Sequence, residues 1–454
     1  MQVVENKMGT EPVNRLLLSI SFPMMISMLV QALYNIVDSI FVAQINENAL
    51  TAVSLAFPLQ ALMTAIGIGT NVGVNAMLSR SLGEKDKEKA NRFANNGIFL
   101  AIIIYILFLF VGIFGTEIYY TTQTSDQAII RYGKDYMMVV CCFSAGMYIQ
   151  FAFEKLLQAT GRTVYTMITQ SIGAIINIIL DPILIFGLFG LPRMEVVGAA
   201  VATVIGQTIA GILAIIFNIW KNNDIKIEVK GFRPDFDTIK KIYQIGLPSI
   251  FIQAVGSVMV YIMNQILLLF STTAIAVFGV YYKLQSFVFM PVYGLNGGMV
   301  SIFSYNYGAR KKSRMMEALR LSYIYAVSIM AAGFLLFQIL PRQLLMLFNA
   351  SPEMLSIGVP SLRIISISFI AAGFNIISIS VFQSLGRGGY SMMVSLARQF
   401  IILLPVAFIM SRLGNVDYVW WSFPIAEILA IICSVVFLVR VNRDIISKME
   451  EASE

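Results

Sequence analysis

Twelve apolar runs, each about 20 residues or longer, follow one another along the chain and are parted by short polar loops. They lie at about 15–43, 50–79, 93–116, 129–157, 163–187, 196–220, 239–269, 275–300, 315–340, 357–384, 391–412 and 418–440. A run of that length crosses a hydrocarbon core of ~30 Å as a helix. In lipid a helix satisfies its own backbone, which an open strand or loop does not. The chain is 58% hydrophobic and 13% charged, about half the charge of a soluble domain. The longest polar stretch, Lys221 to Lys241, is too short to fold alone. The expected fold class is therefore an all-α membrane protein of twelve transmembrane helices. No small-residue cleavage site follows the first run, so it reads as a retained span and not a signal peptide.

The chain repeats itself at a fixed offset of 225 residues. Pro23 falls on Pro248. Gly69, Asn71, Gly73, Ser79 and Gly83 fall on Gly294, Asn296, Gly298, Ser304 and Gly308. Gln158, Gly161, Arg162, Tyr165 and Met167 fall on Gln383, Gly386, Arg387, Tyr390 and Met392. Each half is thus a copy of one six-span unit. Six crossings return the chain to its starting side, so both copies enter the membrane in the same orientation, related by a pseudo-two-fold axis along the membrane normal. The expected organisation is an N-lobe over 1–220, a cytoplasmic linker over 221–238 and a C-lobe over 239–454. Two such lobes leave a central cleft that rocking would open to alternate sides.

The net charge of +7 is explained by its distribution and needs no nucleic acid. About 24 of the 32 Lys and Arg residues gather in alternate loops and at the ends: Arg80 to Arg92, Lys221 to Lys241, Arg310 to Arg320, the tail from Arg440, the N-terminus, and the Arg162 and Arg387 loops. The opposite loops hold Arg131, Lys134, Arg193, Arg342, Arg363 and Arg412. This positive-inside bias places both termini in the cytoplasm. The three cysteines, Cys141, Cys142 and Cys433, lie inside spans and read as apolar filler. There is no histidine, which removes the commonest zinc ligand and the usual catalytic base. Neither an enzyme nor a resident cofactor is expected.

Charged residues inside the spans carry the functional signal, since each costs a few kcal/mol to insert. Asp38 lies deep in the first run and Asp181 in the fifth. Gln31, Tyr34 and Asp38 share one helical face at i, i+3, i+7; Gln170, Asn177 and Asp181 share another at i, i+7, i+11. Together they offer the oxygens that a small hard cation or a proton would use. The C-terminal copy lacks this set: Tyr34, Asp38, Asn177 and Asp181 align with Met259, Met263, Ile402 and Val406. Either aspartate at a span's end would simply be solvated or cap a helix, and Pro182 raises that reading for Asp181. Lys283 would snorkel, pair or line the cleft, Glu154 would face the aspartates, and Arg398 and Glu427 would pair or line the cleft. Further cleft candidates are Gln31, Met63, Gln253, Met259, Tyr281 and Met290, since aromatic faces and methionines suit varied organic cations. Packing is the commoner role for a methionine or tyrosine in a span.

At Asp38, at Asn177 with Asp181-Pro182, at Gly198-Ala199-Ala200-Val201-Ala202-Thr203 and at Gln158-Ala159-Thr160-Gly161-Arg162, the chain resembles the multidrug and toxic compound extrusion (MATE) family. The resemblance covers the whole chain. Phe153 to Gly161 and Tyr282 to Ser286 are similar to its bacterial MepA-like branch. It implies export of lipophilic, often cationic organic compounds from the bacterial cell, driven by inward Na⁺ or H⁺, by a monomer in the cell membrane. It also implies a cation site at Tyr34, Asp38, Asn177, Asp181 and Thr203, with Na⁺ at Asp38, Asn177 and Asp181. Some relatives use acids in the C-lobe; here Gln253 stands in span seven and span ten has no acid, which favours the N-lobe.

The competing reading is a lipid-linked oligosaccharide flippase of the same superfamily architecture. Its anionic cargo calls for a cleft lined by Arg and Lys. Mid-span Lys283 and Arg398 against Asp38 and Asp181 favour cationic cargo instead.

Overall fold

The computed structural model describes residues 6–228, 232–348 and 350–449, and these form helices and connecting turns with no strand among them. Ten helices are long and apolar enough to cross a membrane, and two bent pairs bring the number to twelve if each counts as one span. In the first half these are α1 (Val13–Ala43), α2 (Glu47–Gly83), α3 (Lys87–Phe110, running on through a π-helical turn to Gln123), the pair α4 (Gln127–Cys142) and α5 (Ala145–Ala159), α6 (Thr163–Phe186) and α7 (Glu195–Lys221). In the second half they are α8 (Phe236–Leu268), α9 (Thr272–Gly308), α10 (Lys312–Ile339), the pair α11 (Pro352–Ser366) and α12 (Ser368–Ser384), α13 (Gly388–Leu396, continued by a π-helical turn to Leu403 and a helix to Ser411) and α14 (Ser422–Val441). The α4–α5 and α11–α12 bends, 43° and 45°, fall at equivalent places in the two copies.

The chain divides into two compact units, but not at the 1–220 and 239–454 boundaries expected. One holds Ile26–Gly246, the other Met1–Met25 with Leu247–Glu454. Both divisions fall inside a helix, beside Pro23 in α1 and Pro248 in α8. A proline removes one helical hydrogen bond and bends the rod, so the two parts of one helix can pack on different neighbours. Close packing fixes each part. In one unit Gly294 of α9 lies against the backbone of Met25, where a Cβ would sit 2.5 Å from its nitrogen, and Ser21 donates to the Leu295 carbonyl at 3.4 Å. In the other, a Cβ on Gly246 of α8 would lie 3.1 Å from the Gly69 carbonyl, and Gly73 faces the Ile242 carbonyl. The repeated glycines are thus where helices touch backbone to backbone, the mode of association that lipid favours.

The expected linker over 221–238 is also no free tether. Ile225 is buried. The Lys226, Glu228 and Asp235 amides donate to Asn91, Asn95 and Asn96 on α3 at 2.7, 2.8 and 3.0 Å. Residues 229–231 of that stretch, like 1–5 and 450–454 at the ends, lie outside the described residues.

Candidate functional site

The site lies within the Ile26–Gly246 unit, where α6 and α7 cross on two glycines. A Cβ on Gly206 would stand 2.6 Å from the Gly173 carbonyl, and one on Gly173 would stand 2.9 Å from the Gly206 carbonyl. This contact brings the side chains one turn further along within reach of each other. Asn177 donates from Nδ2 to Asp181 Oδ1 and to Thr203 Oγ1, both at 3.3 Å. Helix α6 continues through Pro182 to Phe186, so Asp181 is a mid-helix residue, fully buried, and neither solvated nor a cap.

Helix α1 supplies the opposite wall. Gln31 and Tyr34 line a cavity of about 90 Å³ together with Gln150, Gln170, Asn177 and Thr203. Asp38 stands one turn beyond Tyr34. It acts electrostatically on Asp181, and both carboxylates act on the Tyr34 hydroxyl. Three buried acceptor oxygens have no hydrogen-bond donor: Asp38 Oδ1, Asn177 Oδ1 and Asp181 Oδ2. Buried oxygens are normally satisfied. Three orphans on residues gathered at one site are an arrangement that a cation or a proton would complete.

Glu154 on α5 is buried as well, yet its oxygens are satisfied. Oε1 accepts from Gln150 Nε2 at 3.0 Å and Thr169 Oγ1 at 2.8 Å; Oε2 accepts from Gln170 Nε2 at 2.9 Å. Its sequence neighbour Lys155 points elsewhere and donates to Gln158 at 2.7 Å. Gln150 and Thr169 carried no signal in the sequence, because an uncharged polar residue in a span is common. The i, i+4 spacing of Gln150 to Glu154 was the available clue.

The remaining candidates lie in other settings. Met63 is core, its sulfur 3.7 Å from the Cys141 thiol. In the second unit Met259 is buried and accepts from the Tyr282 hydroxyl at 3.9 Å; Tyr281 is buried among Phe278, Tyr282 and Phe423. Gln253 is exposed, Met290 half-buried, and Lys283 exposed with its ammonium 5.9 Å from the Phe348 ring centre. Arg398 and Glu427 pair at 3.1 Å, and Asn375 donates to the same carboxylate at 2.8 Å. Among the described residues no three of His, Cys, Asp and Glu gather as metal ligands would.

The MatE family model matches the chain twice, over residues 23–183 and 248–409.

The chain belongs to the MatE family.

The two matches begin at Pro23 and Pro248, one repeat apart. The chain is a multi-pass membrane transporter and not an enzyme. It is 28% identical over 408 residues to the multidrug export protein MepA of Staphylococcus haemolyticus, covering 90% of this chain and 89% of that one. To MepA of Staphylococcus aureus strain NCTC 8325 it is 27% identical over 447 residues, with 94% of both chains covered. Its fold matches a multidrug resistance MATE family transporter of the MOP superfamily in the outward-facing conformation, with a TM-score of 0.92 at 22% identity over 99% of this chain and all of that one. A MOP superfamily transporter from Pyrococcus furiosus, described as having a binding pocket of reversed polarity, matches with a TM-score of 0.91 at 23% identity over the whole of both chains.

Proposed function

We propose that this MatE protein exports lipophilic, cationic organic compounds from a bacterial cell by alternating access, in exchange for Na⁺ or H⁺. The observation that carries the proposal is the set of unpartnered buried oxygens on Asp38, Asn177 and Asp181, of which Asn177 lines the cavity. Two carboxylates that act on each other in a low dielectric do not both remain ionised without a counter-charge. A proton, a Na⁺ or a cationic substrate supplies it, and Asn177, Tyr34 and Thr203 add neutral oxygens of the kind hard cations take. If ion and substrate favour different conformations, entry of one drives exit of the other; the coupling equals the difference in their affinities for the two states. The names of the Staphylococcus relatives support the multidrug reading. The flippase reading loses ground because Arg398, one of its two mid-span cations, is already paired with Glu427.

The test is dye efflux from proteoliposomes holding the purified protein, with Na⁺ and pH gradients imposed separately. Efflux should follow one gradient or both. Efflux indifferent to both would overturn the proposal.

A further inference from the structure

The turn between α6 and α7 is apolar where a turn in water would be polar. Helix α6 ends at Phe186, yet residues 182–192 carry no charged side chain. Gly187 at φ 73° stops the helix and Gly190 at φ 83° turns the chain back, a backbone region that suits glycine. Between them Phe189 adopts the same left-handed region, φ 59° and ψ 27°, where a bulky side chain is strained. Its side chain is 89% exposed, and Leu188 and Leu191 beside it are exposed as well. The tip thus turns three apolar side chains outward.

The second copy shows that the fold does not require a phenylalanine there. At the 225-residue offset Phe189 falls on Gly414, which holds the left-handed conformation at φ 81° without strain. A Cβ on Gly414 would meet nothing within 4 Å. Arg412, Asn415 and Asp417 make that turn polar. One backbone conformation is therefore filled by glycine in one copy and by a strained, outward-facing phenylalanine in the other. Strain kept for a side chain that packs on little of its own protein points to a partner outside the chain.

We propose that the 187–191 turn is a membrane anchor: Leu188, Phe189 and Leu191 enter the headgroup–acyl boundary of the leaflet away from the basic loops, and the partner is phospholipid. Helix α6 begins beside the Arg162 loop and crosses once, so its end lies at the opposite surface. Irregular backbone facing lipid is not tolerated in the hydrocarbon core, and an apolar tip is not favoured in water. The boundary suits both, and it is where Phe and Leu of surface-lying segments sit. The turn also satisfies part of its own backbone. The Gly187 amide donates to the Ile183 carbonyl, Leu191 to Leu188 at 3.3 Å and Met194 to Leu184 at 3.0 Å. At its far end Glu195 accepts from the Tyr132 hydroxyl of α4 at 2.8 Å, which fixes the base of the turn. The turn joins the helices that carry Asn177, Asp181 and Thr203. Asp181 stands about 7.5 Å along α6 from Phe186, at 1.5 Å per residue, so the anchor also sets the depth of that carboxylate.

The experiment places a nitroxide at Phe189→Cys in full-length protein with Cys141, Cys142 and Cys433 replaced by alanine, in vesicles of phosphatidylethanolamine and phosphatidylglycerol. Electron paramagnetic resonance reads collisions with oxygen, which partitions into lipid, and with a nickel chelate, which stays in water. Ser125→Cys, in an exposed turn at the same end of the spans, is the reference. The oxygen-to-nickel ratio should be several-fold higher at 189 than at 125. Equal ratios would put the tip in water and overturn the proposal. Protection from both reagents would mean that protein covers the tip, a second copy included, and would overturn it as well. The role of Phe189 itself is read from a nitroxide at Leu191→Cys. Phe189→Asp should lower the ratio there several-fold, and Phe189→Trp should keep it. Phe189→Gly, the residue that the second copy has at this position, serves if Phe189→Asp does not fold, with the same fall expected. A ratio at 191 indifferent to these changes would remove Phe189 as the anchor.

Discussion

Asp181 precedes a proline within an unbroken helix, and the pairing concentrates unsatisfied polarity. Pro182 has no N–H to offer the carbonyl one turn back, and Asp181 Oδ2 has no donor either. In lipid such polarity persists only where something else completes it. Replacing either aspartate by asparagine removes a charge, keeps the shape and adds an N–H that can reach the orphan oxygens. Asp38→Asn and Asp181→Asn should each bring gradient-driven dye efflux down to the level of empty vesicles at undiminished expression. Glu427→Gln should do less to coupling per folded molecule, because its charge is already matched by Arg398 at 3.1 Å. That pair is 15% and 14% exposed, and removing one partner strands a buried charge. Arg398→Met alone should therefore cost about 3–5 kcal/mol, and Arg398→Met with Glu427→Met should recover most of it; thermal unfolding in detergent reads both. The charged members of these clusters were visible in the sequence because a charge in an apolar run is rare. Gln150 and Thr169 were not, because only their aim at Glu154 distinguishes them from other polar residues in spans.

Helices α6 and α7 show why the element scale was only half legible. Their existence and approximate ends follow from length and apolarity, since lipid leaves a spanning segment few alternatives. Their crossing point does not follow. Gly173 and Gly206 lie in stretches with several small residues, and only packing picks the pair at which backbone meets backbone. The same holds for Pro23 and Pro248, which read as markers of the repeat and prove to flank the places where one helix passes from unit to unit. A side chain at the crossing should act on stability and site together. Gly206→Val places a Cβ 2.6 Å from the Gly173 carbonyl, and a backbone carbonyl does not swing aside. The helices must part, at a cost of about 1–3 kcal/mol. Asn177 then loses Thr203, which it reaches at only 3.3 Å. Lower thermal stability with reduced ion-driven efflux is the expected result. The control is Gly279→Ala on α9, where an added Cβ meets nothing within 4 Å and both measurements should stay at wild-type values.

For the whole molecule, the two copies differ in the side chains they place at equivalent positions, and the loops between the elements carry the signal for orientation in the membrane. Where the first copy has Gly173 and Ala202 on the two helices that bound its cavity, the second has Arg398 and Glu427. In the second copy an ion pair joins the two helices at the equivalent positions. Orientation comes from the loops that join the elements. Lys87 begins α3 and Ser313 lies in the first turn of α10, both beside the basic loops Arg80 to Arg92 and Arg310 to Arg320. Ser125 follows the long α3 segment and Glu353 opens α11, at the ends poor in Lys and Arg. All four are exposed. If the basic loops face the cytoplasm, single cysteines there should report it in a background with Cys141, Cys142 and Cys433 replaced by alanine. Ser125→Cys and Glu353→Cys should react with a membrane-impermeant maleimide in intact cells. Lys87→Cys and Ser313→Cys should react only after permeabilisation. The reverse pattern would turn the protein over in the membrane, and mixed labelling within either pair would break the equal orientation of the two copies on which the parallel repeat depends.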